Sequence, residues 1–245
     1  MTTRAHTFAI ALLLTALAAP ASAQDAPVEH TLQYEASWGE ARVARASLSL
    51  SCPDRHLATL SARTLDLAEQ LHALRLRLDS STPPGATTPT RARTAIVEKG
   101  RARSYDSALS SDGVWTQATV EGHARDARHT PLERSAHDLL SWALALGHDV
   151  VGGKDLAPIL VWDGWKRSIL TPGAPERTRL ITRLGVVDAW RVELTRTRLD
   201  RDVALPAPYG TVYFGDDALP IGVDLNTPIG PTQVRLAARS VRACE

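Results

Sequence analysis

The stretch Leu74-Arg75-Leu76-Arg77-Leu78-Asp79 alternates leucine with charged residues. Successive side chains of a β-strand point to opposite faces of the sheet, so the three leucines would share one face and the charges the other. Antiparallel sheets commonly pack one face on a core and leave the other face in water. This stretch therefore predicts a half-buried antiparallel strand.

The same alternation recurs through the rest of the chain, in about a dozen segments that have strand length. It is clear in Leu32–Trp38, Ala44–Leu50, Leu180–Leu184 and Trp190–Leu194, and weaker in 91–98, 101–109, 114–120, 159–162, 165–170, 211–214, 221–225 and 233–241. Turn residues separate these segments at Gly39, Lys99-Gly100, Asp112-Gly113, Asp163-Gly164 and Pro172-Gly173. We expect a mainly β protein built on a strongly curved antiparallel sheet or open barrel, with a pair of β subdomains as the alternative.

One segment has helical spacing instead. In 135–147 the apolar residues recur every three or four positions, which predicts one amphipathic helix packed against the curved sheet. Ser135 would be its N-cap, Asp138 would complete a motif like a capping box, and Gly147 would end it. A shorter helical turn is expected near Leu67–Leu71.

The first 23 residues have the pattern of a secretory signal peptide. Arg4 precedes the apolar run Phe8–Ala19, Pro20 breaks it, and Ala21-Ser22-Ala23 offers small residues for cleavage before Gln24. Residues 24–245 would then form a single β-rich domain, in the periplasm or, alternatively, outside the cell. A retained membrane anchor is the alternative interpretation of the leader. In the mature chain we expect no transmembrane segment.

Export favours a disulfide between Cys52 and Cys244, because an oxidising compartment lets thiols pair. Both cysteines continue strand-like segments near opposite ends of the mature chain. They would lie on one side of the sheet if those two strands are neighbours. Two unpaired thiols are the alternative.

The sequence contains no familiar catalytic signature. A nucleophile elbow, a zinc-protease helix motif, a phosphate-binding glycine loop and a dinucleotide fingerprint are all missing. The net charge of +1 argues against a nucleic-acid partner. The spacing of His123, His129 and His137 would not bring them to one metal ion, so we expect no metal site. From the missing motifs we expect no cofactor and no catalytic residue.

Six tryptophans dominate the aromatic residues. Trp38, Trp142 and Trp190 fall on inward phases and are predicted to lie in the core. The other three border turns, where an aromatic ring could line the mouth of a cavity. Trp115, Trp162 and Trp165 are therefore the candidate ligand-binding residues, while core packing is the favoured interpretation of the tryptophans as a group.

Arginine far outnumbers lysine, which occurs only at 99, 154 and 166. Guanidinium groups can bind phosphate or carboxylate through paired hydrogen bonds. Along the sequence, however, the arginines alternate with apolar residues and form no cluster. We interpret the excess as compositional.

Several short motifs resemble domain-of-unknown-function family 3108, a family of exported bacterial proteins. The resemblance covers roughly residues 30 to 240 and rests on Leu32–Gly39 with Ala44–Leu50, Asp138-Leu139-Leu140-Ser141, Gly152-Gly153, Asp163-Gly164 and Val212–Ile221. The chain departs from the family pattern at Ala143–Gly147, where the family usually carries aromatics and an arginine. The resemblance implies the fold and export, but the family has no established activity that it could imply for this chain.

These observations favour a non-catalytic protein of the cell envelope that binds an apolar ligand, such as a lipid, or an envelope component in the concave face of the sheet. The small inward residues Ala44, Ala46, Ala58 and Ala62 would leave room there. A scaffold or assembly partner that acts through its surface is one alternative. A hydrolase with an unrecognised site is another, favoured if His137 or Asp138 meets another acid or a serine in a wet cleft.

Overall fold

The computed structural model describes residues 28–52, 57–83, 86, 88–200, 205–227 and 230–244. The predicted signal peptide, residues 1–23, lies outside the described residues. Within them, one sheet of 17 strands accounts for most of the chain, and two helices accompany it.

The strands are β1 Val28–Trp38, β2 Ala41–Leu50, β3 Leu57–Thr64, β4 Leu74–Ser81, β5 Arg91–Glu98, β6 Arg101–Leu109, β7 Gly113–Val120, β8 His123–Ala124, β9 Arg128–Pro131, β10 His137–Asp138, β11 Ile159–Trp162, β12 Arg167–Pro172, β13 Glu176–Thr182, β14 Gly185–Arg198, β15 Pro206–Phe214, β16 Pro220–Thr227 and β17 Gly230–Ala243. The helices are α1 Asp66–His72 and α2 Leu139–Val151.

Strand β1 lies inside the sheet, paired antiparallel to β2 on one edge and to β17 on the other. From β2 the ladder runs through antiparallel pairs of consecutive strands to β7, which pairs with β8 and β9, and α1 lies in the connection between β3 and β4. From β17 it runs back through β16 and β15 to the long β14, whose far edge holds both β12 and β13. Strand β12 pairs antiparallel with β11, and β11 in turn pairs parallel with β10. The prediction of a curved, mainly antiparallel sheet with one packed amphipathic helix is confirmed.

The two ends of this ladder meet through side chains, while the sheet itself stays open. The Trp162 indole Nε1, on β11, donates a hydrogen bond to Ser107 Oγ on β6 at 3.1 Å. Leu109, Val114, Ala136 and Leu160 pack with Trp162 in one buried cluster. The sheet is therefore barrel-like, and a packed seam takes the place of a continuous hydrogen-bonded ladder.

Sequence periodicity located most strands and missed β3 and the short β8, β9 and β10. The limits of β5, β6 and β11 agree with the predicted segments, and the hairpin turn at Lys99-Gly100 has positive φ at both residues, 49° and 80°. Strand β3 was not predicted as a strand, although its Ala58 and Ala62 do face inward, opposite Leu50 and Ala46. The short β8 and β9 form within what the sequence indicated was a polar loop.

Helix α2 begins and ends later than predicted. Its N-cap is Asp138, whose side chain accepts hydrogen bonds from the backbone N–H groups of Leu140 and Ser141. Ser135 is therefore not the cap, because His137 and Asp138 are still extended in β10. The helix runs past Gly147 to Val151 and is capped at Gly152. The short turn expected near Leu67 forms as α1.

Gly147 has a packing role in the interior of α2. A Cβ built there would lie 2.9 Å from Phe214 Cδ1 and even nearer to the carbonyl oxygen of Ala218. The helix thus approaches the β15–β16 turn backbone to backbone. Only glycine permits this approach, which seats Trp142, Leu146 and Val150 in the cluster that α2 forms with β14 and β15.

Gly147→Ala should destabilise the protein by about 3 kcal/mol through overpacking, although alanine is the better helix former. Urea unfolding followed by circular dichroism measures the change. Gly173→Ala is the matched control, since its Cβ would meet only ordinary contacts at 3.5 Å. A variant at position 147 as stable as the wild type would contradict the close approach.

Of the three tryptophans predicted to be core residues, two are. Trp142 is buried and Trp190 is partly buried, both in the cluster around α2. Trp38 is 45% exposed, so its prediction was wrong. The register of β1 against β2 shifts between Ala36 and Ser37, and this irregularity ends the inward phase that Leu32, Tyr34 and Ala36 follow.

The predicted disulfide is confirmed. Cys52 and Cys244 are bonded, with their Cα atoms 5.8 Å apart across a sequence separation of 192 residues. They follow β2 and β17, which are not neighbours as the prediction required, because β1 lies between them. The bond therefore ties together the two strands that flank β1, beside the start of β1 at Val28.

The double variant Cys52→Ser with Cys244→Ser should lose roughly 2–5 kcal/mol of unfolding free energy, because a closed loop of this length strongly restricts the unfolded chain. Urea unfolding of oxidised wild type, reduced wild type and the variant measures it. The reduced wild type should match the variant. Equal free energies of unfolding for all three proteins would contradict a stabilising role of the disulfide.

Candidate ligand-binding site

A cavity of about 670 Å³ lies between one side of α2 and the ends of β2, β3 and β4. Its apolar lining comes from the sheet, from the helix and from adjoining loops: Leu50, Leu57, Ala58, Ala86, Leu144, Ala145, Ile159 and Leu219. Leu50 and Ala58 are opposite each other in the register of β2 and β3, on the face that carries the core. The cavity therefore occupies part of the concave side of the sheet that α2 leaves unfilled.

One wall of this cavity is polar. His137, Ser141 and His148 contribute to it from β10 and α2, and Ser80 contributes from β4. Lys154 and Asp149 also line the cavity, where Lys154 Nζ donates to Asp149 Oδ1 at 2.8 Å. An apolar body and a polar edge are the usual composition of a small-molecule site.

His137 is the most unusual group in this wall. Burial lowers the pKa of its imidazole below the ordinary value, and the nearby carboxylates of Asp138 and Asp149 oppose that shift only in part. Its Nδ1 is buried, and no described group bonds to it. The ring is therefore neutral at neutral pH and offers one unused nitrogen within the wall.

Asp138 connects this wall to the sheet. Ser80 Oγ donates to its Oδ2 at 2.5 Å, and the N–H groups of Leu140 and Ser141 donate to its Oδ1 at 2.8 and 3.2 Å. The carboxylate is almost fully buried. These donors hold it as a helix cap that fixes α2 against β4.

His137, Asp138 and two serines thus do meet at a cleft, the condition that would favour a hydrolase. The hydrogen bonds are those of a structural cap, however. Ser141 Oγ donates to the Asp138 backbone carbonyl at 3.2 Å, and Ser80 Oγ donates to the Asp138 carboxylate. Among the described residues, no serine is hydrogen-bonded to an imidazole in the way that nucleophilic catalysis requires.

The three tryptophans predicted to bind a ligand lie apart from this cavity. Trp115, on β7, is 53% exposed on the outer face, where its ring stacks on His129 at a centroid distance of 4.7 Å. It lines a neighbouring surface cavity of about 540 Å³ together with Leu57 and Ala108, and Leu57 and Ser80 line both cavities.

Trp162 and Trp165 belong to the seam. Trp162 is buried and bonded to Ser107, whereas Trp165 is partly exposed and lies 6.0 Å from the ring of Tyr105. The Arg128 guanidinium lies 5.5 Å from the Trp165 ring. The structure does not bring the three tryptophans together around one cavity.

Sequence reasoning missed the cavity wall that α2 supplies. Ser141, Ala145 and His148 are spaced by four and three residues, so they form one stripe along the helix. Two polar residues within such a stripe were the available signal. The strand ends that complete the cavity are distant in sequence and could not be paired with the helix from periodicity.

Comparison with known proteins supports the fold alone. No family model matches the chain, and no curated protein matches it. A solved structure that is similar is a beta-barrel-like protein of domain of unknown function 1849 from Brucella abortus, with a TM-score of 0.58 and 7% sequence identity. The match covers 88% of this chain and 98% of that one. The resemblance to family 3108 stays a prediction.

No helix in the described part of the chain has the length and apolar character needed to cross a bilayer.

His137 should make stability depend on pH. Its pKa is lower in the folded than in the unfolded state, so the unfolded chain binds more protons over that interval. Stability contributed by the neutral ring is fully present above pH 6.5 and is lost as the pH falls through the folded-state pKa. His137→Gln should therefore show a smaller drop in melting temperature between about pH 7.5 and about pH 5 than the wild type.

Scanning calorimetry across that range measures the effect. His123→Gln, which removes an exposed imidazole from β8, is the matched control. An identical drop in His137→Gln and wild type would contradict the role given to this ring.

Proposed function

We propose that the protein is exported to the bacterial cell envelope and binds an apolar ligand, non-catalytically, in the cavity between α2 and the concave face of the sheet. The observation that carries this proposal is the cavity itself, which has apolar walls from two elements and a polar edge at His137, His148 and Lys154. A lipid or similar molecule with an apolar body and a polar head fits this distribution.

Export is supported by two independent features. The leader has the composition of a signal peptide, and the Cys52–Cys244 disulfide is typical of an oxidising compartment such as the periplasm. Membership of the exported family 3108 would agree with both features. The periplasm is the location proposed, and secretion is the alternative.

A surface role is the second candidate. Exposed Leu57, Ala108 and Trp115 line the outer cavity of about 540 Å³, across β3, β6 and β7. An exposed tryptophan beside an exposed leucine is typical of a contact surface for another protein. In this candidate Trp115 would contact a partner from the envelope, and the α2 cavity would stay empty.

Ala145→Phe tests the first candidate, because the added ring would project into the cavity. We expect wild type to bind a dansyl-labelled fatty acid saturably with one site, and the variant to bind at least about tenfold more weakly. Ala102→Phe, on an exposed position of β6, is the control and should bind as the wild type does. Melting temperatures of all three proteins establish that each is folded.

Native mass spectrometry of wild type purified from its own envelope provides a second readout. A stoichiometric adduct of lipid mass in wild type, lost in Ala145→Phe, supports the proposal. No adduct and no saturable probe binding would overturn it, as would equal binding by a well-folded Ala145→Phe.

A further inference from the structure

Three arginines that are far apart in sequence stand side by side on the outer face of the sheet. Strand register places Arg45 of β2 directly opposite Arg63 of β3, and Arg63 directly opposite Arg75 of β4. Neighbouring strands are about 4.8 Å apart, so the three side chains start within roughly 10 Å of one another. The alternation that separates the arginines along the sequence also places them side by side across neighbouring strands.

This row is unfavourable for the protein alone. Like charges directly opposite each other on neighbouring strands destabilise a sheet. The side chains of Arg45 and Arg75 are 51% and 73% exposed, and Arg63 is exposed as well. Because this row of exposed charges lowers the stability of the sheet and buries no apolar surface, its presence is not explained by folding.

Few carboxylates compensate the row. Glu35 is already paired to Arg42 and to Arg183, each at 3.1 Å, and lies 3.9 Å from Arg45. Glu69 is 4.0 Å from Arg75, at the limit of an ion pair.

Arg63, the centre of the row, has no ion pair among the described residues. The row therefore retains a surplus of positive charge around Arg63.

The three arginines line one cavity of about 610 Å³, which Glu35 also lines. Ser47 and Ser61, which are directly opposite each other in the next row of the same face, also line it. Their hydroxyls add hydrogen-bond donors beside the arginines. Guanidinium and hydroxyl groups both donate hydrogen bonds, and phosphoryl oxygens accept hydrogen bonds from such groups.

We propose that Arg45, Arg63 and Arg75, with Ser47 and Ser61, form a binding site for a phosphoryl group on the outer face of the sheet. The span of the row fits one phosphate monoester or diphosphate, and the overall charge balance of the chain gives no basis for a longer polyanion. This site lies on the face opposite the cavity beside α2, so it goes beyond the apolar-ligand function and does not depend on it.

Isothermal titration with inorganic pyrophosphate at low ionic strength tests the site. Wild type should bind with one site, and Arg63→Gln should bind at least about tenfold more weakly because it removes the central fork. Arg63→Lys retains the charge without the fork and should fall between them. Arg179→Gln, an exposed arginine on β13, is the control and should stay within about twofold of wild type.

Thermal denaturation separates a ligand site from a structural role. Without ligand, Arg63→Gln should melt higher than wild type because the repulsion is relieved. Pyrophosphate should raise the melting temperature of wild type more than that of Arg63→Gln, while sodium chloride of equal ionic strength should not separate them. No saturable heat in wild type, or equal binding by Arg63→Gln and wild type, would overturn the proposal.

Vesicles distinguish the two sources of such a phosphoryl group. Wild type that sediments with phosphatidic acid vesicles and stays in solution with phosphatidylcholine binds a lipid headgroup. Wild type that binds pyrophosphate and sediments with neither kind of vesicle binds a soluble phosphate compound. Both results support the site, provided that Arg63→Gln abolishes the interaction.

Discussion

The buried carboxylate of Asp138 determines where α2 lies inside the curved sheet. It accepts the first N–H groups of the helix on one oxygen and the Ser80 hydroxyl of β4 on the other. Because both oxygens are used, the start of the helix cannot move along the sheet without breaking these bonds. Gly147 then lets the second half of the helix lie close to the β15–β16 turn. These two contacts decide which part of the concavity the helix fills and which part remains as a cavity.

The regular part of the fold could be predicted from sequence because it depends on local alternation. Strands β1, β2 and β4 follow from clear period-two patterns, and the weaker patterns at β5, β6 and β11 still gave the limits of those strands. The prediction was wrong where tertiary contacts override local signals. Ser135 is a good N-cap by type, yet pairing of β10 with β11 keeps the following residues extended and moves the cap to Asp138. A register shift likewise moves Trp38 out of the core.

The candidate sites could be predicted only in part. Inward alanines on β2 and β3 indicated spare room on the concave face, and Ala58 does line the cavity there. The helix stripe that closes the cavity was overlooked. The arginine row was interpreted as compositional because its members are adjacent only through the pairing of β2 with β3 and of β3 with β4. Such sites depend on register between strands, which a single sequence does not contain.

The position of β1 has a consequence for how the chain can assemble. Its partner β17 also pairs with β16. Without β17, one edge of β1 and one edge of β16 would be bare. Bare edges of this kind recruit strands from other molecules. Pairing of β17 therefore joins the two halves of the sheet and covers both of these edges at once, and the disulfide beside it makes that connection covalent.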